Sequence, residues 1–228
     1  MKGIQIILLI LLILFSLSCF GQSEKKEYSA IGQEILTKRS NFKKSYNNSD
    51  KVGKDSIIIE ARNYLFKIII DDIFTYWYGT RWDFNGYSRA PKQGVIACGY
   101  FVTNTLSDAG FNIPRVKWAQ SASEVFIKKL ANNNLKRFSN KSISEVESYL
   151  KQKGVGLYLV GLDCHVGFIV VKSDSIKFVH SNYYQPEIGV MSEDIDSTNP
   201  LNDSRYRIVG KLLSDEMIIN WINNKAYK

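Results

Sequence analysis

Residues 94–110 read GVIACGYFVTNTLSDAG and place a cysteine at the start of an apolar helix pattern. Downstream of Cys98, apolar residues recur at spacings of one, three and four, which is typical of a helix with one buried face. Gly110 stands where such a helix would end. The pattern predicts that Cys98 lies at a helix N-terminus, where free backbone N–H groups and the helix dipole lower a thiol pKa.

A free cysteine is more often a buried core residue than a nucleophile, so the histidines decide the interpretation. The chain has two, His165 and His180, near the start of one predicted strand and the end of the next. If residues 172–175 form the turn of a hairpin, the two imidazoles meet. Cys98 is then the nucleophile, His165 the base, and His180 the residue that orients His165. The N–H of Cys98 can help to hold an oxyanion.

Cys164 offers two alternatives to catalysis. One is a disulfide with Cys98, and the other is a zinc site built from Cys98, Cys164, His165 and His180. Successive residues of a strand point to opposite faces, so Cys164 should face away from Cys98 if His165 faces it. This geometry disfavours both alternatives without excluding them.

The order of the predicted elements indicates an α+β domain. Helices are predicted over 56–74, from Cys98 onward, over 120–130, and from a Ser-x-x-Glu capping box at Ser142. Strands are predicted over 156–162, 165–171 and 176–181, with shorter ones over 188–191 and 205–209. A last helix is capped by Ser214. Helices that precede a meander of strands predict helices packed on an antiparallel sheet.

The N-terminus is predicted to direct export from a bacterial cytoplasm. Residues 1–21 read as a signal peptide, because Lys2 precedes an almost unbroken Ile/Leu run that is shorter than the about 20 residues of a membrane span. Cleavage after Gly21 leaves a secreted protein, whereas lipidation of Cys19 leaves one anchored in the outer membrane. Residues 22–55 are predicted to be a polar arm or linker, and residues 56–228 a catalytic domain.

The chain carries a net charge of +8, and only Lys2 is lost with the leader. A basic extracytoplasmic protein is expected to be attracted to anionic envelope polymers or lipid headgroups. Nucleic-acid binding is disfavoured, since no Arg-rich or aromatic-interleaved motif is present.

The aromatic run over residues 76–87, YWYGTRWDFNGY, is interpreted as the wall of a substrate groove, with a packed loop as the alternative. Trp82 and Asp83 are candidate substrate residues within it, and Asp83 could bind an amine. Arg115 is a third candidate, because its planar guanidinium suits a carboxylate. A purely structural role is the alternative for each of the three.

Together these motifs resemble the NlpC-type cysteine peptidase superfamily, the papain-like hydrolases of bacterial cell-wall peptides. The resemblance covers roughly residues 60–210. It is carried, in order, by Tyr76-x-x-Gly79-Thr80, Cys98-Gly-Tyr-Phe-Val, Ile113-Pro-Arg115 with Gln120, His165-Val-Gly-Phe-Ile and Phe178-Val-His180-Ser. The superfamily's usual Asp-Cys-Ser-Gly is replaced by Ala97-Cys98-Gly99-Tyr100, which leaves the triad intact and the substrate open.

The resemblance implies a papain-like fold with Cys98 as nucleophile, His165 as base, His180 as orienting residue and Tyr76 near the oxyanion. It implies cleavage of a peptide bond in the peptidoglycan stem, without a metal or organic cofactor. The expected partner is peptidoglycan or its muropeptide fragments, bound by a monomer. The alternatives are an amidase or acyltransferase that uses the same triad on another substrate, and an envelope-binding module with an inert thiol.

Overall fold

A computed structural model describes residues 27–228, so the predicted signal peptide and Cys19 lie outside the described residues. The helices are α1 (Tyr28–Asn48), α2 (Lys51–Lys67), a π-helical segment (Ile68–Ile73), α3 (Phe74–Trp77), α4 (Cys98–Asp108), α5 (Arg115–Ala119), α6 (Ser123–Ala131), α7 (Ile143–Lys153), α8 (Pro200–Asp203) and α9 (Asp215–Ile222). The strands are β1 (Leu135–Ser139), β2 (Gly156–Leu162), β3 (Val166–Val171), β4 (Ile176–Ser181), β5 (Val190–Asp194) and β6 (Tyr206–Lys211).

The six strands form one antiparallel sheet in the order β1-β6-β2-β3-β4-β5, which confirms the predicted α+β class. Both faces of the sheet are covered. On one face, α4 and α6 pack against the sheet, and α1, α2 and α9 complete the same core; the core on the other face contains α7 and the segment around α8. The alternation of side chains along β4 shows this division, because Val179 belongs to the first layer and Phe178 to the second.

The structure corrects the prediction that the N-terminal residues form a polar arm or linker. Within the described part of residues 22–55, α1 is a helix of 21 residues, and its Ile31 and Ile35 are buried. Tyr28, Phe42 and Tyr46 are partly buried and extend these two isoleucines into a stripe along α1, but polar and basic residues outnumber the stripe in the sequence. The Tyr28 hydroxyl donates to Asp108 Oδ2 at 2.5 Å and accepts from Trp77 Nε1 at 2.9 Å, which docks α1 onto the domain.

Local sequence signals place several element ends correctly. The Ser142 hydroxyl accepts from the Glu145 N–H, and the Glu145 carboxylate accepts from the Ser142 N–H, so the predicted capping box is present. Ser214 caps α9 by accepting from the Met217 N–H. Strand β1 was not predicted, because its sequence LKRFS has no clear alternation and it forms by pairing with β6 at the edge of the sheet.

The fold holds α4 directly against the strand that carries His180. The Ser181 hydroxyl on β4 donates to the carbonyl oxygen of Ile96 at 2.8 Å, two residues before Cys98. This bond is buried and therefore fixes the nucleophile segment relative to the sheet.

Within residues 27–228, no helix is both long enough and apolar enough to span a membrane.

Candidate active site

Cys98 is the first residue of α4, as the sequence predicts. The preceding residue, Ala97, is extended (φ −80°, ψ 158°) and has no side chain that could cap the helix. The first N–H groups of α4 therefore have no acceptor from a capping side chain and are available to an acceptor at the helix N-terminus. Backbone N–H groups of Val166, Gly99 and Cys98 itself lie near the Cys98 sulfur and favour its thiolate form. Gly99 allows this packing, because a Cβ there would lie 2.2 Å from the carbonyl oxygen of Ala119.

The expected lowering of the thiol pKa is not what the structure gives. Burial raises the pKa of Cys98, and the three backbone N–H groups oppose that rise without overcoming it. The sulfur therefore rests as a thiol, and a base must remove its proton before attack on a substrate. His165 lines the same cavity as Cys98 and is the neighbouring base.

His165 and His180 meet, which the hairpin argument predicts. Nε2 of His165 lies 2.8 Å from Nδ1 of His180. Nε2 of His180 lies in turn 2.7 Å from Oε1 of Glu193 on β5. His165 is 5% exposed and His180 is fully buried. The structure thus links two imidazoles and one carboxylate in a continuous chain of hydrogen bonds, the His165–His180–Glu193 relay.

Aromatic rings hold the planes of the two imidazoles. The ring of His180 stacks on Phe178, with centroids 4.0 Å apart and an interplanar angle of 16°. His165 contacts the edge of Tyr183 at a centroid distance of 5.2 Å. Burial lowers the pKa of His165 well below its ordinary value, and the neighbouring His180 lowers it further; burial also lowers the pKa of His180. Both imidazoles are therefore neutral in the resting protein.

The register of the β3–β4 hairpin differs from the one that the sequence argument assumed. Phe168 pairs with Val179, so the continuation of this register places Gly167, rather than His165, beside His180. His165 precedes β3 and reaches His180 from beyond the strand end. A Cβ at position 167 would lie 2.9 Å from the Cβ of His180. A larger residue at position 167 would therefore collide with the His180 side chain, and glycine avoids this clash.

Cys98 and His165 open into a cavity of about 900 Å³ with aromatic walls. None of the described residues that line it is Asp, Glu, Lys or Arg. A second cavity, of about 320 Å³, lies against the same two catalytic candidates. Two cavities therefore meet at the sulfur. The larger cavity is lined by the aromatic residues Trp82, Phe84, Tyr87, Tyr100 and Tyr183 and by the amides Asn85 and Gln120.

Trp82 is the one of the three predicted substrate residues that lines this cavity. Asp83 is exposed and accepts from the Asn85 N–H at 2.7 Å, so it shapes the loop. Arg115 donates to the buried Asn104 at 2.9 Å and lies over the Tyr100 ring, behind the cavity wall. The structure gives Asp83 and Arg115 these structural contacts and does not bring them to the cleft.

Tyr76, which the resemblance places near the oxyanion, is not among the described residues that line either cavity beside Cys98. It packs against Tyr28 of α1, with ring centroids 5.3 Å apart. The sequence motif could not show this contact, because it depends on α1, which the sequence predicts as part of a polar arm. Gln120, which the motif order includes, does line the larger cavity and donates to the Tyr100 hydroxyl at 3.0 Å.

Cys164 does not face away from Cys98. It is exposed and lines the same two cavities, because it precedes β3 and the alternation of a strand does not apply to it. Both cysteines are free thiols in the structure. In the described chain, no group of three or more His, Cys, Asp and Glu residues is placed to hold a metal ion.

Glu193 is the site residue that sequence reasoning missed. It lies 13 residues after His180, in a strand predicted only over 188–191. The pairing of Phe178 with Glu193 and of His180 with Met191 sets the diagonal contact between His180 and Glu193. An acidic residue in a polar strand gives no signal of this contact until the register of β4 and β5 is known.

The alkylation of Cys98 by iodoacetamide tests the raised thiol pKa. In a Cys164→Ala variant, we expect the alkylation rate of Cys98 to reach half its maximum above pH ~8.5, the ordinary cysteine value. The reason is that burial disfavours the thiolate, so the reactive form accumulates only above the raised pKa. The Cys98→Ala/Cys164→Ala double variant measures the background. A midpoint well below pH ~8.5 would instead indicate a thiolate–imidazolium pair in the free protein.

Comparisons of this chain with protein-family models, with curated proteins and with solved structures found no match. The likeness to NlpC-type peptidases therefore stays an inference from the motifs. Function has to be inferred from the residues and distances of the site itself.

Proposed function

We propose that this protein is an extracytoplasmic cysteine hydrolase with a papain-like fold that cleaves amide bonds in the stem peptides of peptidoglycan. One observation carries the proposal. A thiol at a helix N-terminus shares a cleft with His165, and the far nitrogen of that imidazole is held by a second, buried histidine. This is the arrangement that nucleophilic catalysis requires: a nucleophile, a base and a group that orients the base.

The reaction begins with proton transfer. His165 uses Nε2 to contact His180, which leaves Nδ1 to take the proton of the Cys98 thiol. The sulfur then bonds to the substrate carbonyl carbon, and negative charge develops on the carbonyl oxygen. The N–H groups of Cys98 and Gly99 lie at the helix N-terminus near the sulfur and can donate to that oxygen.

The tetrahedral intermediate collapses when its C–N bond breaks. His165 returns the proton to the departing nitrogen, so an amine leaves and a thioester remains on Cys98. Water then attacks the thioester and gives one proton to His165. Cleavage of the C–S bond releases a carboxylic acid, and the proton on His165 restores the thiol.

The proposed papain-like fold is supported by how the two halves of the site pack together. The helix that begins at Cys98 packs against the antiparallel sheet, while His165 and His180 lie at the ends of adjacent strands of that sheet. The Ser181–Ile96 hydrogen bond joins these halves next to the catalytic groups. A papain-like enzyme has this same division between a cysteine helix and a histidine sheet.

The two cavities beside the sulfur offer room for a peptide segment. The larger cavity offers aromatic faces and amide groups, which suit the backbone and uncharged side chains of a peptide. The smaller cavity includes Glu124 and Asp163. Glu124 is paired with Lys128 and Arg137, and Asp163 accepts from the N–H groups of Arg205 and Tyr206, so neither carboxylate is left for a cationic substrate group.

The predicted leader and the basic charge of the chain support an envelope substrate. A net charge of +8, which becomes +7 when Lys2 is lost with the leader, favours binding to anionic wall polymers and raises the local concentration of their peptides. The uncharged lining of the larger cavity and a positive overall charge are compatible, because the charge attracts the polymer and the cavity accepts the peptide segment.

The proposal is tested by incubating the protein without residues 1–21 with purified peptidoglycan and with soluble muropeptides, followed by mass spectrometry. We expect fragments that add one water per cleaved amide and carry one new amine and one new carboxylic acid. An added acceptor amine distinguishes hydrolysis from acyl transfer, since a transferase would attach the acyl group to it. Binding to peptidoglycan without any cleavage would support the envelope-binding module and contradict the hydrolase.

A further inference from the structure

We propose that Glu193 is a positioning residue that fixes the direction of the His165–His180–Glu193 relay, so that Nδ1 of His165 is free to take a proton. The proposal rests on the hydrolase function, because it concerns the base of that reaction. It adds a fourth residue to the site, one that reaches the thiol only through the two imidazoles.

The geometry requires each hydrogen bond of the relay to have a definite direction. An ionised carboxylate can only accept, so the Nε2 atom of His180, 2.7 Å from Glu193 Oε1, must carry the proton. A neutral imidazole has one N–H group, which makes Nδ1 of His180 an acceptor. Nε2 of His165, 2.8 Å from that atom, must then donate. The remaining nitrogen of His165, Nδ1, is left without a proton.

The opposite direction would disable the base. If Nε2 of His180 accepted a hydrogen bond, its Nδ1 would donate and Nε2 of His165 would have to accept. The proton of neutral His165 would then sit on Nδ1, and that nitrogen could not remove the thiol proton. Because burial keeps both rings neutral, their tautomers decide whether a base is present at all.

Glu193 is placed to act on His180 and not on a charged side chain. Its side chain is 10% exposed, and within residues 27–228 its one contact with a basic side chain is the hydrogen bond to the neutral His180. The neighbouring Asp194 points to the other face of the sheet, where it pairs with Lys177 at 2.7 Å. The same carboxylate would also stabilise the positive charge that reaches the relay when His165 takes the proton.

The two histidines make the tautomers directly measurable. Labelling with 15N-histidine gives spectra of two imidazoles, which a His165→Gln variant assigns. Burial raises the pKa of Glu193, so spectra are recorded at pH 8, well above the ordinary glutamate value of about 4.3. We expect both rings of the unmodified protein to carry their proton on Nε2. A proton on Nδ1 of His180 would overturn the proposal, whether or not any variant folds.

Glu193→Gln removes the carboxylate with almost no change in shape. Its amide can donate or accept, so we expect His180 to become a mixture of the Nε2–H and Nδ1–H tautomers. We also expect kcat to fall about 10- to 100-fold with KM unchanged, which is the usual scale for a group that orients a catalytic ligand. Asp194→Asn makes the same chemical change at the neighbouring, outward position and should alter neither quantity. Unchanged tautomers and an unchanged kcat in Glu193→Gln would overturn the proposal.

The spectra also separate this proposal from the proposed function. If the protein cleaves no peptidoglycan amide, the hydrolase proposal fails, while the tautomer of His180 and its response to Glu193→Gln still decide the role of Glu193 in the relay. If the protein is active and His180 is protonated on Nδ1, only the positioning role fails.

Discussion

Replacing Cys98 with serine is expected to lower kcat/KM for amide hydrolysis by at least about 10³-fold, with the fold retained. The hydroxyl is nearly the same size as the thiol and occupies the same helix N-terminus, so the packing of α4 is kept. It is far less acidic, and His165 cannot generate the alkoxide in a site where burial already opposes the thiolate. Peptide release from peptidoglycan measures activity, and thermal unfolding measures the fold.

Cys164→Ser is the matched control for this substitution. It makes the same chemical change in a cysteine that lines the same cavities. Cys164 is exposed and is not part of the relay, so activity should stay within a few-fold of the unmodified protein. Full activity in Cys98→Ser, or loss of activity in Cys164→Ser alone, would contradict the assignment of the nucleophile.

Replacing Gly167 with alanine is expected to damage both stability and catalysis. An alanine Cβ would lie 2.6 Å from a ring atom of Phe178, 2.9 Å from the Cβ of His180 and 3.0 Å from the carbonyl oxygen of Val179. Two of these contacts involve the stacked pair Phe178 and His180, which are both buried. Overpacking of this kind costs about 1–3 kcal/mol of unfolding free energy, which urea denaturation measures.

The loss of activity in Gly167→Ala should be larger than the loss of stability suggests. Displacement of His180 breaks the 2.8 Å contact with His165, and a shift of about 1 Å in a catalytic group can cost about 10²-fold in rate. Gly32→Ala is the control, because a Cβ at that exposed position of α1 meets no atom within 4 Å. It should leave activity unchanged and add about 0.5–1 kcal/mol of stability. A Gly167→Ala protein that is as stable and active as the unmodified one would refute the packing argument.

Much of the site could be predicted because it is encoded locally. Cys98 begins an apolar helix whose pattern spans only a few turns, and His165 and His180 flank one short hairpin. Contacts between neighbours in sequence need little knowledge of the fold, so the meeting of the two histidines was predictable even though the assumed register was wrong. The Ser142 capping box is local for the same reason.

The features that could not be predicted depend on contacts between distant segments. Tyr76 lies on Tyr28, 48 positions earlier, and α1 packs a single stripe of an otherwise polar helix against the core. Arg115 is held by Asn104 behind the cavity wall rather than in it. A motif gives the order of such residues, whereas their positions depend on which helix packs behind them.

The sequence alone determined that this chain forms an α+β domain with a cysteine at a helix N-terminus and two histidines that meet, since periodicity and short-range spacing encode these features. Tertiary structure alone decided that Glu193 closes the relay, that Cys164 shares the cleft, and that the thiol pKa is raised. The physical reason is that strand register, loop direction and burial arise from the packing of the whole chain, and no short segment contains them.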